Sequence, residues 1–181
     1  MAVYAKAIDE LSHFFYEAGV PEAEELGHSS LEIERYRDVM DRTYEWTDRQ
    51  IAPLVDAVDR DGNTLLVLVS DHGWEKEADG NYNHSYAPPG ILVLYGAGVC
   101  SRVCPALADA RVYDIAPTIL VQLGLPISDE MVGRPLSEAF REEHKVLRVA
   151  RYGDPLMEAR AIPSEIDAAL TEKLKALGYM D

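Results

Sequence analysis

Asp9 and His13 stand four residues apart in "AIDELSHFF". Asp71 and His72 are adjacent in "LLVLVSDHG", and His84 follows in the polar loop "DGNYNHSY". On a helical turn the D-x3-H spacing places both side chains on one face, close enough to share an ion. A carboxylate with two neutral imidazoles is a borderline-hard donor set that suits zinc, and also manganese or iron. Zinc sites built this way keep a position open for water or substrate. Each element has a plainer reading. An Asp after a strand is commonly a turn or cap residue, D-x3-H recurs in helices by chance, and a loop histidine is commonly solvated. Their joint occurrence in this order makes the case for a metal centre. A rival pair, Glu24 and His28 in "PEAEELGHSS", has no strand before it, and His144 in "REEHK" reads as part of a solvated face.

The elements that must position these residues can be read from periodicity. "AVYAKAI" reads as a short strand that delivers Asp9 at its end. Apolar residues at Ile33, Tyr36, Met40, Tyr44, Ile51, Leu54, Val55 and Val58 follow a helical period and predict one long amphipathic helix, bent near Pro53. "DRDGN" makes a turn. "TLLVLVS" and "GILVLYG" are apolar on both faces, as central strands of a parallel sheet are. Gly73 allows the backbone to turn sharply after the first of them. "DIAPTILVQLGLP" predicts a helix with Asp114 as N-cap, Pro117 in the tolerant first turn, and Gly124 and Pro126 as the stop. "SEIDAALTEKLKALGYMD" predicts a last helix from Ser164 to Gly178. Strands separated by helices imply an α/β protein, a three-layer α/β/α sandwich with a mainly parallel sheet. Ligands bind beyond the carboxyl ends of such strands, where Asp9 and Asp71 fall.

The 181 residues suit one domain, 48% hydrophobic and 27% charged. No apolar run approaches the roughly 20 residues of a membrane helix, and the N-terminus does not read as a signal peptide. A net charge of −15 argues against binding nucleic acid polymers or anionic membranes. It leaves room for a small phosphorylated substrate, because a bound metal reverses the field locally. Cys100 and Cys104 lack the second pair of a structural zinc site and read as reduced thiols; a cytoplasmic setting is the default.

Taken in order, "IDELSH", "LVLVSDHG", His84, "DIAPTILVQLGLP", "MVGRPL" and "LKALGYMD" resemble the alkaline phosphatase superfamily, in its type I phosphodiesterase/nucleotide pyrophosphatase branch. The resemblance implies a metal-dependent phosphoric ester hydrolase with two divalent ions, zinc foremost. Asp9, His13 and His84 would hold the first ion, and Asp71 and His72 would be ligands of the second. The family's Thr or Ser nucleophile and one further Asp precede the strand before Asp9, where this sequence has only "MAVYAKAI". It therefore reads as residues 1–181 of one domain, the C-terminal portion of a larger catalytic domain, with no catalytic nucleophile and with any targeting signal lying upstream. In the complete enzyme, two ions about 4 Å apart would clamp a phosphate, the upstream hydroxyl would attack phosphorus, and water would release the product. The substrate would be a phosphorylated small molecule, a nucleotide if Trp74, Tyr82 or Tyr86 stack on a base, although such aromatics more commonly just pack. Lacking its opening strands, the chain would expose a sheet edge, a route to self-association.

Three alternatives rank behind this reading. A sulfatase would need a C-x-P-x-R or S-x-P-x-R motif, which "VCPALADA" is not. A phosphomutase of the same superfamily would carry an inserted cap domain for which this sequence has no room. A non-catalytic metal-binding remnant would bind an ion without turnover.

Overall fold

The computed structural model describes residues 1–100 and 107–153, together with Lys173 and Lys175. Cys104 and, apart from those two lysines, the helix expected over 164–178 and the terminal "LKALGYMD" segment lie outside the described residues. The chain divides into two compact units, one comprising Met1–Ala57, His72–Ile91 and Ile162–Asp181, the other Val58–Asp71 and Leu92–Ala161.

The first unit is helical with a small hairpin. Residues 1–6 form no strand. Asp9 instead sits in the first turn of helix α1, Ala7–Phe15. Acids are favoured there by the helix dipole, and Lys6 pairs with Glu10 at 2.9 Å on the outer face. The expected single long helix is two: α2 (Ser30–Tyr36) and α3 (Val39–Asp61). Helix α2 opens with a capping box. The Ser29 hydroxyl accepts from Glu32 N–H, while the Glu32 carboxylate accepts from Ser29 N–H at 2.8 Å. Nothing in "RYRDVM" forbids a continuous helix. The break coincides with the close approach of Gly19, where a Cβ would lie 2.8 Å from the Arg37 carbonyl oxygen. Helix α3 runs through Pro53, which has no N–H to bond the preceding turn. Buried Met40 on α3 meets buried Ser12 on α1, and Ala18 and Ala23 complete the interior.

The second unit holds the strands β1 (Leu65–Val69) and β4 (Leu92–Gly96), which pair antiparallel with Leu65 opposite Gly96 and Val69 opposite Leu92. Strands β2 (Glu75–Lys76) and β3 (Tyr82–Asn83) form a second antiparallel pair, in the first unit. Strands β5 (Ile127–Ser128) and β6 (Arg148–Val149) are the parallel pair. Among the described residues the fold is mixed α/β with three two-stranded sheets, and the mainly parallel sheet of the sequence reading does not appear. An apolar run fixes burial, not direction. The connection decides direction, because a parallel return needs a long crossover that is usually a helix. The segment between β1 and β4 carries the β2–β3 hairpin and no helix, so the chain returns antiparallel. Along β4 the burial alternates, Leu92 and Leu94 facing inward, Val93 and Tyr95 outward.

Helix α4 (Ile115–Gln122) lies close to where the sequence places it. It ends in a Schellman arrangement, with Leu125 N–H donating to Leu120 O and Gly124 N–H to Val121 O, Gly124 having φ +68°. Asp114 stands at the N-cap, but its carboxylate does not cap the helix. It accepts from Arg111 N–H at 3.0 Å and from Arg134 N–H at 2.8 Å. The Thr118 hydroxyl donates to Asp114 O and accepts from Leu136 N–H. The "DIAPT" and "MVGRPL" segments are thus locked together beside the fully buried Ile127, Leu136 and Pro117. Among the described residues no helix is long and apolar enough to cross a membrane.

Two predictions follow the packing. A Cβ on Gly96, at φ +105°, would press on the Thr64 carbonyl and lie 2.6 Å from Val58 Cγ1. Gly124 sits at φ +68°, in the left-handed region, with nothing within 4 Å. Urea denaturation should show Gly96→Ala losing roughly 2–5 kcal/mol, strain plus overpacking, and Gly124→Ala only about 1 kcal/mol; equal losses would refute the packing argument. Asp114→Ala strips two backbone N–H groups of a charged acceptor, and should cost about 2–4 kcal/mol in the same assay.

Candidate metal centre

Four of the five expected ligands converge within the first unit. Helix α1 brings Asp9 and His13 to one face, as their spacing requires. His72 opens the segment after β1, and His84 follows β3, with its own N–H donating to Asn83 Oδ1. Asp9 Oδ1 lies 3.7 Å from His13 Nε2 and 3.9 Å from both His72 Nε2 and His84 Nε2. His13 Nε2 and His84 Nε2 are 3.1 Å apart. The family resemblance assigns His72 to the second ion, whereas the structure brings its Nε2 to the same carboxylate oxygen as the other two imidazoles. Asp71, its chain neighbour, is exposed and belongs to the second unit.

The local chain explains the convergence. Gly73 N–H donates to Pro88 O at 2.7 Å, and a Cβ on Gly73 would lie 2.5 Å from Pro89 O. Glycine is required here by close approach of two backbones. His72 Nδ1 is 2.9 Å from the Gly73 carbonyl. A carbonyl only accepts, so Nδ1 carries the proton and Nε2 presents its lone pair towards Asp9. After His84 the chain turns back, with Ala87 N–H donating to His84 O and Ala87 at φ +45°. The imidazoles also hold one another: His72 and His84 stack at 4.2 Å between centroids, and Trp74 meets His13 edge to face at 4.8 Å. Behind them Tyr16 packs on Trp74 and Tyr82, and the Tyr82 hydroxyl donates to Glu22. Trp74 and Tyr82 therefore pack, while Tyr86 is 76% exposed.

The electrostatics fit a metal. Burial holds His13 below the ordinary imidazole range; Asp9 opposes that shift, and His84 and His72 add to it. A neutral imidazole is the ligating form. Asp9 Oδ1 is buried and makes no hydrogen bond among the described residues. Its 3.7–3.9 Å separations from three nitrogens are too long for hydrogen bonds. They are near the spacing of about 3.4 Å that ligands bonded at about 2.1 Å adopt around a tetrahedral ion. Asp9, His72 and His84 form a cluster whose ligand atoms lie within 4.8 Å of one another. A buried carboxylate oxygen among imidazole nitrogens, with nothing else to bond, matches the needs of a divalent cation.

The rival histidines have other roles. His28 Nε2 lies 3.5 Å from Glu17 Oε2, so its partner is Glu17 and not the Glu24 that sequence spacing offered. His144 packs against Phe140, half-buried where a solvated face was expected. Cys100 is half-buried and in no disulfide among the described residues.

The profile of the family described as type I phosphodiesterase / nucleotide pyrophosphatase matches residues 1–116. Similar curated proteins include 2,3-bisphosphoglycerate-independent phosphoglycerate mutases. That of Synechococcus elongatus is 35% identical over 111 residues, which is 56% of this chain and 20% of that protein. That of Rippkaea orientalis is 37% identical over 113 residues, again 56% and 20%. That of Microcystis aeruginosa is 31% identical over 135 residues, 68% of this chain and 24% of that protein. The match spans only about a fifth to a quarter of the length of these relatives. No solved structure matches the chain significantly.

Zinc binding checks the ligand assignment. His13→Ala, His84→Ala and Asp9→Ala should each weaken zinc more than the roughly 10–100-fold that loss of an outer-shell partner costs. His28→Ala should leave zinc affinity unchanged. Loss of zinc from the His28 variant with retention in the His13 variant would reverse the assignment.

Proposed function

Because this chain belongs to the type I phosphodiesterase / nucleotide pyrophosphatase family, within the alkaline phosphatase superfamily, we propose that it supplies most of the metal ligands of a centre for phosphoryl transfer from phosphoric esters. The observation that carries this reading is the buried, unbonded Asp9 Oδ1 faced by three imidazole nitrogens. Asp9, His13 and His84 would hold one divalent ion, with His72 Nε2 facing the same carboxylate oxygen. Zinc is the ion best suited to this nitrogen and oxygen set, with manganese or iron also compatible. Bound there, such ions neutralise charge on phosphate oxygens and lower the pKa of coordinated water.

The chain's own residues keep the donors ready. The Gly73 carbonyl fixes the His72 tautomer, burial favours the neutral form of His13, and Trp74 and His84 pack against the His13 ring. Under this reading the chain supplies metal ligands and not the nucleophilic hydroxyl. Hydrolysis of a phosphodiester or pyrophosphate is the leading reaction. A second reading, transfer of a phosphoryl group between hydroxyls of one phosphorylated acid, is favoured by the names of the relatives. The two reactions differ in the acceptor, water or a second hydroxyl, and ask the same of these ligands.

Elemental analysis of the purified chain, paired with assays of bis(p-nitrophenyl) phosphate hydrolysis and of 2-/3-phosphoglycerate interconversion, tests the reading. Bound zinc or manganese without turnover is the expected result. Turnover by the chain alone would place a nucleophile among its own hydroxyls. Absence of any bound metal after loading would overturn the metal assignment.

A further inference from the structure

His13 and His84 stand on different elements, yet their Nε2 atoms are 3.1 Å apart. His13 belongs to α1, whereas His84 follows β3, one half of a two-stranded hairpin. A two-stranded pair is marginal on its own, so its place beside α1 depends on anchors outside it. Glu17 supplies such an anchor. It stands four residues after His13, in the tight turn Glu17–Gly19 that follows α1, where Gly19 N–H donates to Tyr16 O at 3.0 Å. Its Oε1 accepts from the backbone N–H of Tyr82 at 2.9 Å. Tyr82 lies two residues before His84, whose own N–H donates to Asn83 Oδ1 between them. One side chain, tied to the end of α1, thus grips the main chain that carries His84.

The kind of contact matters. A hydrogen bond to a carboxylate is stronger than one between neutral groups. Held by its backbone, a strand is fixed in place, whereas a contact at a side-chain tip leaves the main chain room to move. Glu22 shows the contrast: it accepts from the Tyr82 hydroxyl at 3.0 Å and pairs with Lys76, both at side-chain ends. The other oxygen of Glu17, Oε2, lies 3.5 Å from His28 Nε2, which leaves Oε1 for Tyr82.

We propose that Glu17 is a positioning residue for the metal centre: through the Tyr82 N–H it sets His84 against His13, and so keeps two ligands of one divalent ion in register. This rests on the metal reading above and adds a residue that touches neither the ion nor its ligands. The reach of the Glu17 side chain, more than its charge, carries the effect.

The test titrates the full chain with zinc, followed by calorimetry, and with cobalt(II), whose visible absorption reports the ligand set. Glu17→Ala should weaken zinc about tenfold, the scale on which loss of a supporting partner acts, and change the cobalt(II) spectrum as His84 leaves the ion. Glu17→Gln keeps an acceptor oxygen at the same reach, and should bind zinc within about threefold of the wild type with an unchanged spectrum. Glu17→Asp keeps the charge but draws the oxygens back by one methylene, and should bind zinc nearly as weakly as Glu17→Ala. A merely structural or electrostatic role would not rank the variants this way. Wild-type zinc affinity in Glu17→Ala or Glu17→Asp would overturn the proposal, as would affinity in Glu17→Gln as low as in Glu17→Ala. Each of those results leaves the metal reading intact, because that reading stands on zinc binding by the wild-type chain. Failure of the wild-type chain to bind zinc would overturn both. If Glu17→Ala does not fold, the comparison of Glu17→Gln with Glu17→Asp decides alone.

Discussion

The first unit is organised around one costly atom. Asp9 Oδ1 is buried and makes no hydrogen bond among the described residues, a condition that costs free energy unless a counter-charge or metal answers it. Three imidazole nitrogens surround it at distances too long for hydrogen bonds. The arrangement around them serves to hold that geometry. The dipole of α1 favours Asp9 in the first turn, Gly73 admits the Pro88 and Pro89 backbone while its own carbonyl aims His72, and the β2–β3 hairpin delivers His84 into the interior.

Charge and burial divide the labour. With a net charge of −15 the surface is strongly acidic, and its visible pairs, such as Lys6–Glu10 and Arg134–Glu138, are exposed or half-buried. Pairs of this kind are worth a few tenths of a kcal/mol and fix little. The groups that fix structure are the buried ones. In the second unit the Asp114 carboxylate holds two backbone N–H groups. In the first, stacked and edge-on rings hold the imidazoles. An acidic protein handles an anionic phosphate only through local positive charge, and a divalent ion at Asp9, His13 and His84 would supply it under the proposed function.

The pairing of strands carries a related lesson. "TLLVLVS" and "GILVLYG" announce themselves as buried strands, and both are strands. Their direction was not written in them, because direction belongs to the connection, and a short hairpin in a polar loop leaves little periodic signal. The break between α2 and α3 is similar: Gly19 meets the Arg37 carbonyl across the unit, an approach that no window of local sequence records.

The sequence by itself determined the candidate donors, much of their spacing and the family. Asp9 and His13 share a helix face because 3.6 residues make a turn, the α4 stop follows from Gly124, and the ordered acid–imidazole series pointed to the family that residues 1–116 match. Tertiary structure decided what those rules cannot reach. It turned the expected strand before Asp9 into the entry of a helix. It gave His28 to Glu17 and recruited Asp114 as a latch for Arg111 and Arg134. It also joined His72 to the carboxylate shared by His13 and His84. Local rules act over a few residues through backbone geometry, whereas ligand convergence depends on packing between segments far apart in the chain, and only the folded protein settles that.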